Sequence, residues 1–467
     1  MSRTSDLPNV VLVVFDTARR DRFGCYGYGR PTTPTTDSLA REGLVFETMI
    51  SNAPWTLPAH GSLFTGLYPT EHGSQWQTGP ALRDAVPLTM AEFLKGIGYD
   101  TWCVTNNGLI SSRTRLARGF DTYAARLDIE RGLRRMARRV PKALVGGDSG
   151  GKVVNAWMRR RLPRARRPMF LFVNYVECHW SYAPPPSMVR RVGGPRHRAL
   201  EGLRYRTGVA AKAGPWEAVA RADERGLEVL STLYDGEVAD VDRHLNGLLG
   251  VLEESGHLRQ PTIVIVASDH GEHLGERGLA DHHASLDDLL LRVPFVVWGP
   301  GVIGGARRVP ETFEFVDVLP SLVQLLDQPM PDHLAGRRTG VFDGEGDGNP
   351  VSLSEWRAWS KSELRRLKRR NPSFDFTGLR RDLACARDDR FKLVRGSDGS
   401  AAVYDLRADP VESADVSAAH PDAASRLAKA LDAAIPRWAG WEAAGAAQIT
   451  AAEEQEIEAR LEELGYI

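Results

Sequence analysis

Cysteine is scarce in this chain. Only Cys25, Cys103, Cys178 and Cys385 occur in 467 residues, and their wide scatter excludes both a disulfide framework and the paired spacing of a zinc knot. Long apolar runs are missing as well: none approaches the roughly 20 residues of a membrane span, so no span is expected. Met1 to Pro8 is polar and leads straight into the first apolar segment, without the apolar core of an export signal. Free thiols and this polar start predict a cytoplasmic protein. Net charge is absent too. The 60 basic residues balance the 60 acidic ones, which removes the general attraction a nucleic-acid binder or an anionic-membrane binder needs. No internal repeat is visible. What remains is a chain long enough for one large α/β domain and a smaller appendage. The expected division is a catalytic domain over residues 1–345 and a small α+β subdomain over 346–467.

Two uninterrupted β-branched runs, Val10 to Phe15 and Thr262 to Ser268, have the character of strands buried on both faces of a parallel sheet. Asp16 follows the first and Asp269-His270 the second, so these side chains fall at carboxyl ends of strands, where open α/β sheets carry their sites. Helices are expected over Thr36 to Gly43 and Leu88 to Gly96, then strands over Thr101 to Thr105 and Phe170 to Val176. The second of these delivers Glu177 and His179. This alternation predicts a doubly wound, mostly parallel sheet. The stretch 113–167 is a basic insertion, read as a solvated surface. A long loop from Pro184 to about Glu217 precedes one long exposed helix, or two, over Arg221 to Leu252. A further helix around Phe315 to Val323 closes the sheet. Gly340 to Pro350 reads as a linker. Val351 to Glu355, Phe391 to Val394 and Val403 to Leu406 then predict a small antiparallel sheet, turning at Ser397-Asp398-Gly399, with helices ending the chain.

The chemistry points to Asn52 through Gly66. Pro58 suits a first helical turn and Gly66 the position after a last one, which predicts a helix of about two turns over Pro58 to Thr65, with the Thr56 hydroxyl at its mouth. Anions are favoured there by free N–H groups and the helix dipole; the plain alternative is an N-terminal cap. Asp16, Asp269 and His270 form a mixed oxygen and nitrogen set suited to a divalent cation, Mn²⁺ first, with Zn²⁺, Mg²⁺ or Ca²⁺ as alternatives. With Thr56 as a further ligand, one such ion would activate the hydroxyl as a nucleophile. A second ion through His273 or His60 is a lesser expectation. The cluster His273, His282 and His283 offers groups to hold substrate oxygens or to protonate a leaving group.

In order along the chain stand Phe15-Asp16-Thr17, Gly24-Cys25-Tyr26-Gly27, Thr56-Leu57-Pro58, Thr65-Gly66-Leu67-Tyr68-Pro69, His72-Gly73, Gly119-Phe120-Asp121 and His179. Ser268-Asp269-His270-Gly271-Glu272, Arg292-Val293-Pro294, Gly299-Pro300-Gly301, Asp317-Val318-Leu319-Pro320-Ser321 and Tyr404-Asp405-Leu406 follow. On these residues the chain resembles the sulfatase-like branch of the alkaline phosphatase superfamily. The resemblance implies that superfamily's fold and hydrolysis of a small anionic ester. The departures are informative. Thr56 stands where sulfatases carry the Cys or Ser converted to formylglycine, His60 replaces the motif's Arg, and Thr17 replaces the second acid of an Asp-Asp pair. Thr105-Asn106-Asn107-Gly108 lacks the Lys and His that contact sulfate in the family. His282, with His283 beside it, aligns with the family's active-site Lys or His. An unmodified Thr resembles the phosphodiesterases, phosphonate monoester hydrolases and phosphoryl transferases of the superfamily. The expected site therefore has Thr56, His282 and His179 as catalytic groups, His60, Asn106 and His283 as substrate contacts, and Asp16, Thr56, Asp269 and His270 on the metal. Sulfate ester hydrolysis without formylglycine, and a noncatalytic anion- or partner-binding role, are the competing expectations.

Overall fold

The structure is a computed structural model and describes residues 7–75, 79–125, 150–193, 214–345 and 351–434. The central part of the basic insertion, part of the long loop and of the linker, and the terminal helices expected after 434 lie outside the described residues.

The chain enters through β1 (Asn9–Phe15), continues with β2 (Leu44–Ile50), β3 (Asp100–Thr105), β4 (Thr122–Ala125) and β5 (Met169–Tyr175), and reaches β6 (Thr262–Ser268). A short hairpin of β7 (His273–Leu274) and β8 (Ala280–Asp281) follows, then β9 (Arg292–Val293), β10 (Phe295–Trp298) and β11 (Arg307–Glu314). The main sheet has the order β11-β2-β10-β6-β1-β5-β3-β4, with β9 paired to β2. β1 lies between β5 and β6 and is parallel to both. The pairs β3/β5, β3/β4 and β2/β11 are also parallel. Only β10, against β6 and β2, and β9 run antiparallel.

β1 shows why its sequence alternates in nothing but size. Val10, Leu12 and Val14 pack on one face with Leu57, Leu63 and Phe64 of the helix Thr56–Thr65. Val11, Val13 and Phe15 pack on the other with Val238, Val241 and Leu245 of the helix Glu224–Glu254. Water reaches neither face, so no polar residue is tolerated between Asn9 and Asp16.

The second sheet has the order β12-β13-β14-β15, from β12 (Ser352–Trp356), β13 (Leu383–Arg387), β14 (Phe391–Gly396) and β15 (Ala401–Asp405), all antiparallel. The helix Pro421–Ala434 covers one face of it through Ala423, Leu427 and Leu431. This sheet is joined to the segment just before Thr56: Asn52 Nδ2 donates to Leu353 O at 2.8 Å, Glu355 N donates to Asn52 O at 2.9 Å, and Ser354 Oγ donates to Ser51 O at 2.7 Å. Trp356, Leu383 and Cys385 belong to the main core. The second sheet thus shares in the main core while keeping a smaller one of its own beneath the helix Pro421–Ala434.

The α/β class, the mostly parallel sheet and the small antiparallel sheet are as expected. Sequence reading omits β2, β10, β11 and β13, as well as the short β4, β7, β8 and β9. β11 carries Pro310 and several charges, which suit an edge strand, and the Ala-Cys-Ala centre of β13 has little strand propensity. No helix among the described residues is long and apolar enough to cross a membrane.

Candidate active site

The site forms at the carboxyl ends of β1, β3, β5 and β6. Asp16 leaves β1, Asn106 and Asn107 leave β3, Glu177 and His179 follow β5, and Asp269-His270 follow β6. Asp16, Asp269 and His270 are fully buried, and one potential ligand atom from each lies within 4.8 Å of the others. Asp16 Oδ1, Asp269 Oδ2 and His270 Nε2 are buried without a hydrogen-bond partner. Orphaned donor atoms of this kind, converging in one place, are costly unless something cationic completes them. Burial, then repulsion from Asp269, pushes the Asp16 carboxyl upward. Asp269 is also opposed by burial, but His270, His60 and the Thr17 N–H outweigh that and hold it low. The donor set fits a divalent cation.

The helix starts earlier than its Pro58 predicts. It runs Thr56–Thr65, with Trp55 as an extended N-cap that makes no side-chain cap bond and Gly66 as a left-handed C-cap at φ 68°. Thr56 is thus the first helical residue rather than the cap, and it is fully buried. Asn107 Nδ2 donates to Asp16 Oδ2 at 2.7 Å and reaches Thr56 Oγ1 at 3.4 Å. Asn174 Nδ2 also reaches Asp16 Oδ2, at 3.4 Å. Thr17, at φ 61°, donates its N–H to Asp269 Oδ1 at 3.1 Å, so the missing second carboxylate is replaced by a backbone contact to the other acid. A β-branched residue in this left-handed conformation is strained, which the surrounding bonds must sustain.

His60 sits one turn along the helix, its Nδ1 2.9 Å from Thr56 O and 3.6 Å from Asp269 Oδ2. Its Nε2 is buried without a partner, as are both amide atoms of Asn106. His179, His270, His282 and His283 form a cluster of rings: centroids are 4.4 Å apart for the tilted pairs His270/His282 and His282/His283, and 5.3 Å for the edge-on pair His179/His282. Burial opposes charge on His282, yet Asp281 and Glu272, facing Nδ1 at 2.9 and 3.4 Å, raise it to about 10. Burial, together with His282, lowers His179 to about 3. The two rings thus divide into a protonated one and a neutral one. His273 is turned aside, with Nε2 2.8 Å from Asp287 Oδ2. The second converging donor group is instead Asp281, His282 and His283, and neither His273 nor His60 belongs to it.

Sequence reading missed Asn107, Asn174, Asp281 and an aromatic wall around His283. Trp55, Trp356 and Trp359 have ring centroids 6.2, 5.3 and 5.8 Å from it. Asn107 adjoins an expected residue and needed only a choice between neighbours. The two C-terminal tryptophans had no local signal, because it is the docking of β12 beside Asn52 that carries them there.

A mostly parallel α/β sheet with a buried hydroxyl beside acid and histidine donors at its strand ends defines an ester hydrolase of the alkaline phosphatase-like fold. Residues 8–328 match the family model described as Sulfatase, and the chain belongs to the sulfatase family. It is 27% identical over 440 residues to an uncharacterized sulfatase, YidJ, of Escherichia coli K12, covering 87% of this chain and 82% of that one. It is 25% identical over 494 residues to the multifunctional alkaline phosphatase superfamily protein PehA of Trinickia caryophylli, covering 86% and 90%. The phosphonate monoester hydrolase of Agrobacterium radiobacter shares its fold, with a TM-score of 0.70 at 22% identity over 91% of this chain and 95% of that one. Members of this superfamily generally bind a divalent metal.

Proposed function

We propose that this chain hydrolyses, or transfers from, phosphate diesters or phosphonate and phosphate monoesters, with Thr56 as the nucleophile. The observation that carries the reading is the Thr56 hydroxyl, on the first turn of a buried helix and joined through Asn107 to Asp16. Thr56 Oγ, its proton released to solvent, forms the bond to phosphorus while the P–O bond to the alcohol breaks, its electron pair leaving on the alcohol oxygen. His282, held protonated by Asp281 and Glu272, supplies the proton to that oxygen. Water or an acceptor alcohol then bonds to phosphorus, giving its proton back to His282, as the P–Oγ bond breaks and its electron pair returns to Thr56 Oγ. Asp16, Thr56, Asp269 and His270 would hold a divalent cation, with Mn²⁺ favoured, which lowers the pKa of the hydroxyl and offsets phosphoryl charge. His60, Asn106 and His283 contact the substrate's polar groups, which their buried, part-satisfied atoms support.

A second reading, sulfate ester hydrolysis, is favoured by the name that the relative in Escherichia coli carries. It is disfavoured by chemistry. A formylglycine hydrate has a second hydroxyl that can expel sulfate, and threonine has none. Retention of four donor residues disfavours a noncatalytic role. A panel of aryl phosphate monoesters, diesters, phosphonates and sulfates, run with Mn²⁺, Zn²⁺, Mg²⁺ and Ca²⁺, tests the proposal. Phosphorus esters should turn over fastest, Thr56→Ala should lose at least ~10³-fold in kcat, and Thr56→Ser should keep part of it. Sulfate turnover exceeding every phosphorus ester, or an active Thr56→Ala, would refute it.

A further inference from the structure

A cavity of about 430 Å³ lies between the loop that leaves β1, the Asp288–Arg292 segment and the second sheet. None of Asp16, Thr56, Asp269 and His270 lines it. Four arginines do: Arg20, Arg292, Arg387 and Arg407. The carboxylates around them are already engaged. Asp288 accepts from Lys392 at 2.8 Å and Arg387 at 3.3 Å, Asp21 accepts from Arg19 at 2.7 Å, and Asp389 pairs with Arg407 at the exposed rim. Arg20 shares Glu47 with Arg308 and keeps a buried Nε without a partner. Arg292 donates Nε and Nη2 to the backbone carbonyl of Glu47 and has no ion pair with a carboxylate among the described residues. Burial, followed by repulsion from Arg20, pulls Arg292 down to about 10, with Arg387 adding to it. Arg20, Arg387 and Arg407 are thus each paired with a carboxylate, and Arg292 is the one of the four without such a partner, which leaves its buried charge unbalanced in a concave site. The rim beside it is apolar, from Leu406, Pro410 and a Val411 that is 57% exposed.

We propose that this cavity binds an organic phosphate, the phosphate on Arg20, Arg292, Arg387 and Arg407 and the organic part against Pro410 and Val411. Arginine suits this because its planar donor fork matches phosphate oxygens. The volume is that of a small-molecule pocket and exceeds the need of a bare anion. Both walls continue into the catalytic centre. Arg20 belongs to the loop that follows Asp16, and Leu290 O accepts from Gly271 N at 2.7 Å, immediately after His270. A Cβ on Gly271 would stand 1.9 Å from Leu289 O, so these two segments shift only together.

Adenosine 5′-monophosphate serves as the probe, with adenosine and inorganic phosphate as controls. Calorimetric titration of the full chain carrying Asp269→Ala, in which the catalytic centre has lost a ligand, should show one saturable site that weakens as NaCl is added. Adenosine should not bind, and inorganic phosphate should bind more weakly than the nucleotide. Adding Arg407→Ala or Arg292→Gln should raise Kd about tenfold or more, the scale of one charge-assisted contact. Arg407 is exposed, so its removal tests the site even if Arg292→Gln fails to fold. Nucleotide binding that Asp269→Ala abolishes, that is absent from the wild type, or that Arg407→Ala leaves unchanged overturns the proposal. Equal affinity for inorganic phosphate overturns the organic part of it.

Discussion

At the scale of single residues, Asn107 carries the most information for its size. One amide nitrogen faces both Asp16 Oδ2 and Thr56 Oγ1, fixing an acid and a hydroxyl relative to one another before any substrate arrives. Asn107→Ala should therefore lower metal affinity or kcat about 10–100-fold, the usual effect of removing a group that orients a ligand. Competition titration against a chelating dye and steady-state kinetics measure the two; a change below twofold in both would deny Asn107 this role. Asp16, Asp269, His270, His179 and Thr56 were readable in the sequence because each follows a recognisable strand or opens a helix, whereas His60, His282 and His283 were picked out by the family resemblance and by clustering. Asn107 stood beside an expected Asn106, and spacing alone does not say which amide turns inward. In the structure, the Asn107 carbonyl accepts from Thr105 Oγ1 at 3.1 Å and its side-chain oxygen accepts from Leu109 N at 2.9 Å, and this local turn aims its nitrogen at Asp16.

At the scale of elements, the helix Thr56–Thr65 is braced from outside by His72. Burial lowers that ring to about 3, so it stays neutral, with Nε2 3.2 Å from Pro58 O and 3.3 Å from Ser62 Oγ and Nδ1 accepting from Ser74 N at 3.1 Å. Gly61 makes room for it: a Cβ there would meet His72 Cε1 at 2.5 Å. Gly to Ala inside a helix ordinarily stabilises by roughly 0.5–1 kcal/mol. Here Gly61→Ala should instead destabilise by about 1–3 kcal/mol, as overpacking does. Urea denaturation gives the sign, and a stabilised variant would show that His72 is not a brace. Elements with strong periodicity or uninterrupted β-branched runs were readable from sequence, β1, β5 and β6 above all. Glu224–Glu254 is one helix with ends within two or three residues of those expected, but it is not the exposed element expected, because Val238, Val241 and Leu245 pack it into the core against β1. Strands at the sheet's margin were not readable. β2 is buried but for a half-buried Glu47 and so shows no alternation, while β11 mixes buried and exposed positions irregularly, with a register shift between Val309 and Thr312 that defeats any fixed period.

At the scale of the whole molecule, the union of the two sheets has a pH dependence of its own. Glu355, on β12, bonds the Thr70 hydroxyl at 3.0 Å while its Oε2 is buried without a partner. Burial raises its carboxyl to about 8, against roughly 4.3 in an unfolded chain. The native state thus holds a proton that the unfolded state releases, so its contribution is least unfavourable below pH 4.3 and worsens as pH rises toward 8. Glu355→Gln should match the wild type near pH 4.5 and be more stable at pH 8, by on the order of a few kcal/mol. Thermal unfolding at both pH values checks this, and a gap that does not widen with pH would contradict it. The strand order has another consequence, for synthesis. β1 leaves the ribosome before both of its neighbours, β5 and β6, and the second of these ends at Ser268. At about 5–20 residues per second, roughly 10–50 s pass before both edges of Val10 to Phe15 can be paired. During that interval the most apolar strand of the nascent chain has open edges, and a chaperone that holds this one segment would protect every later step of assembly.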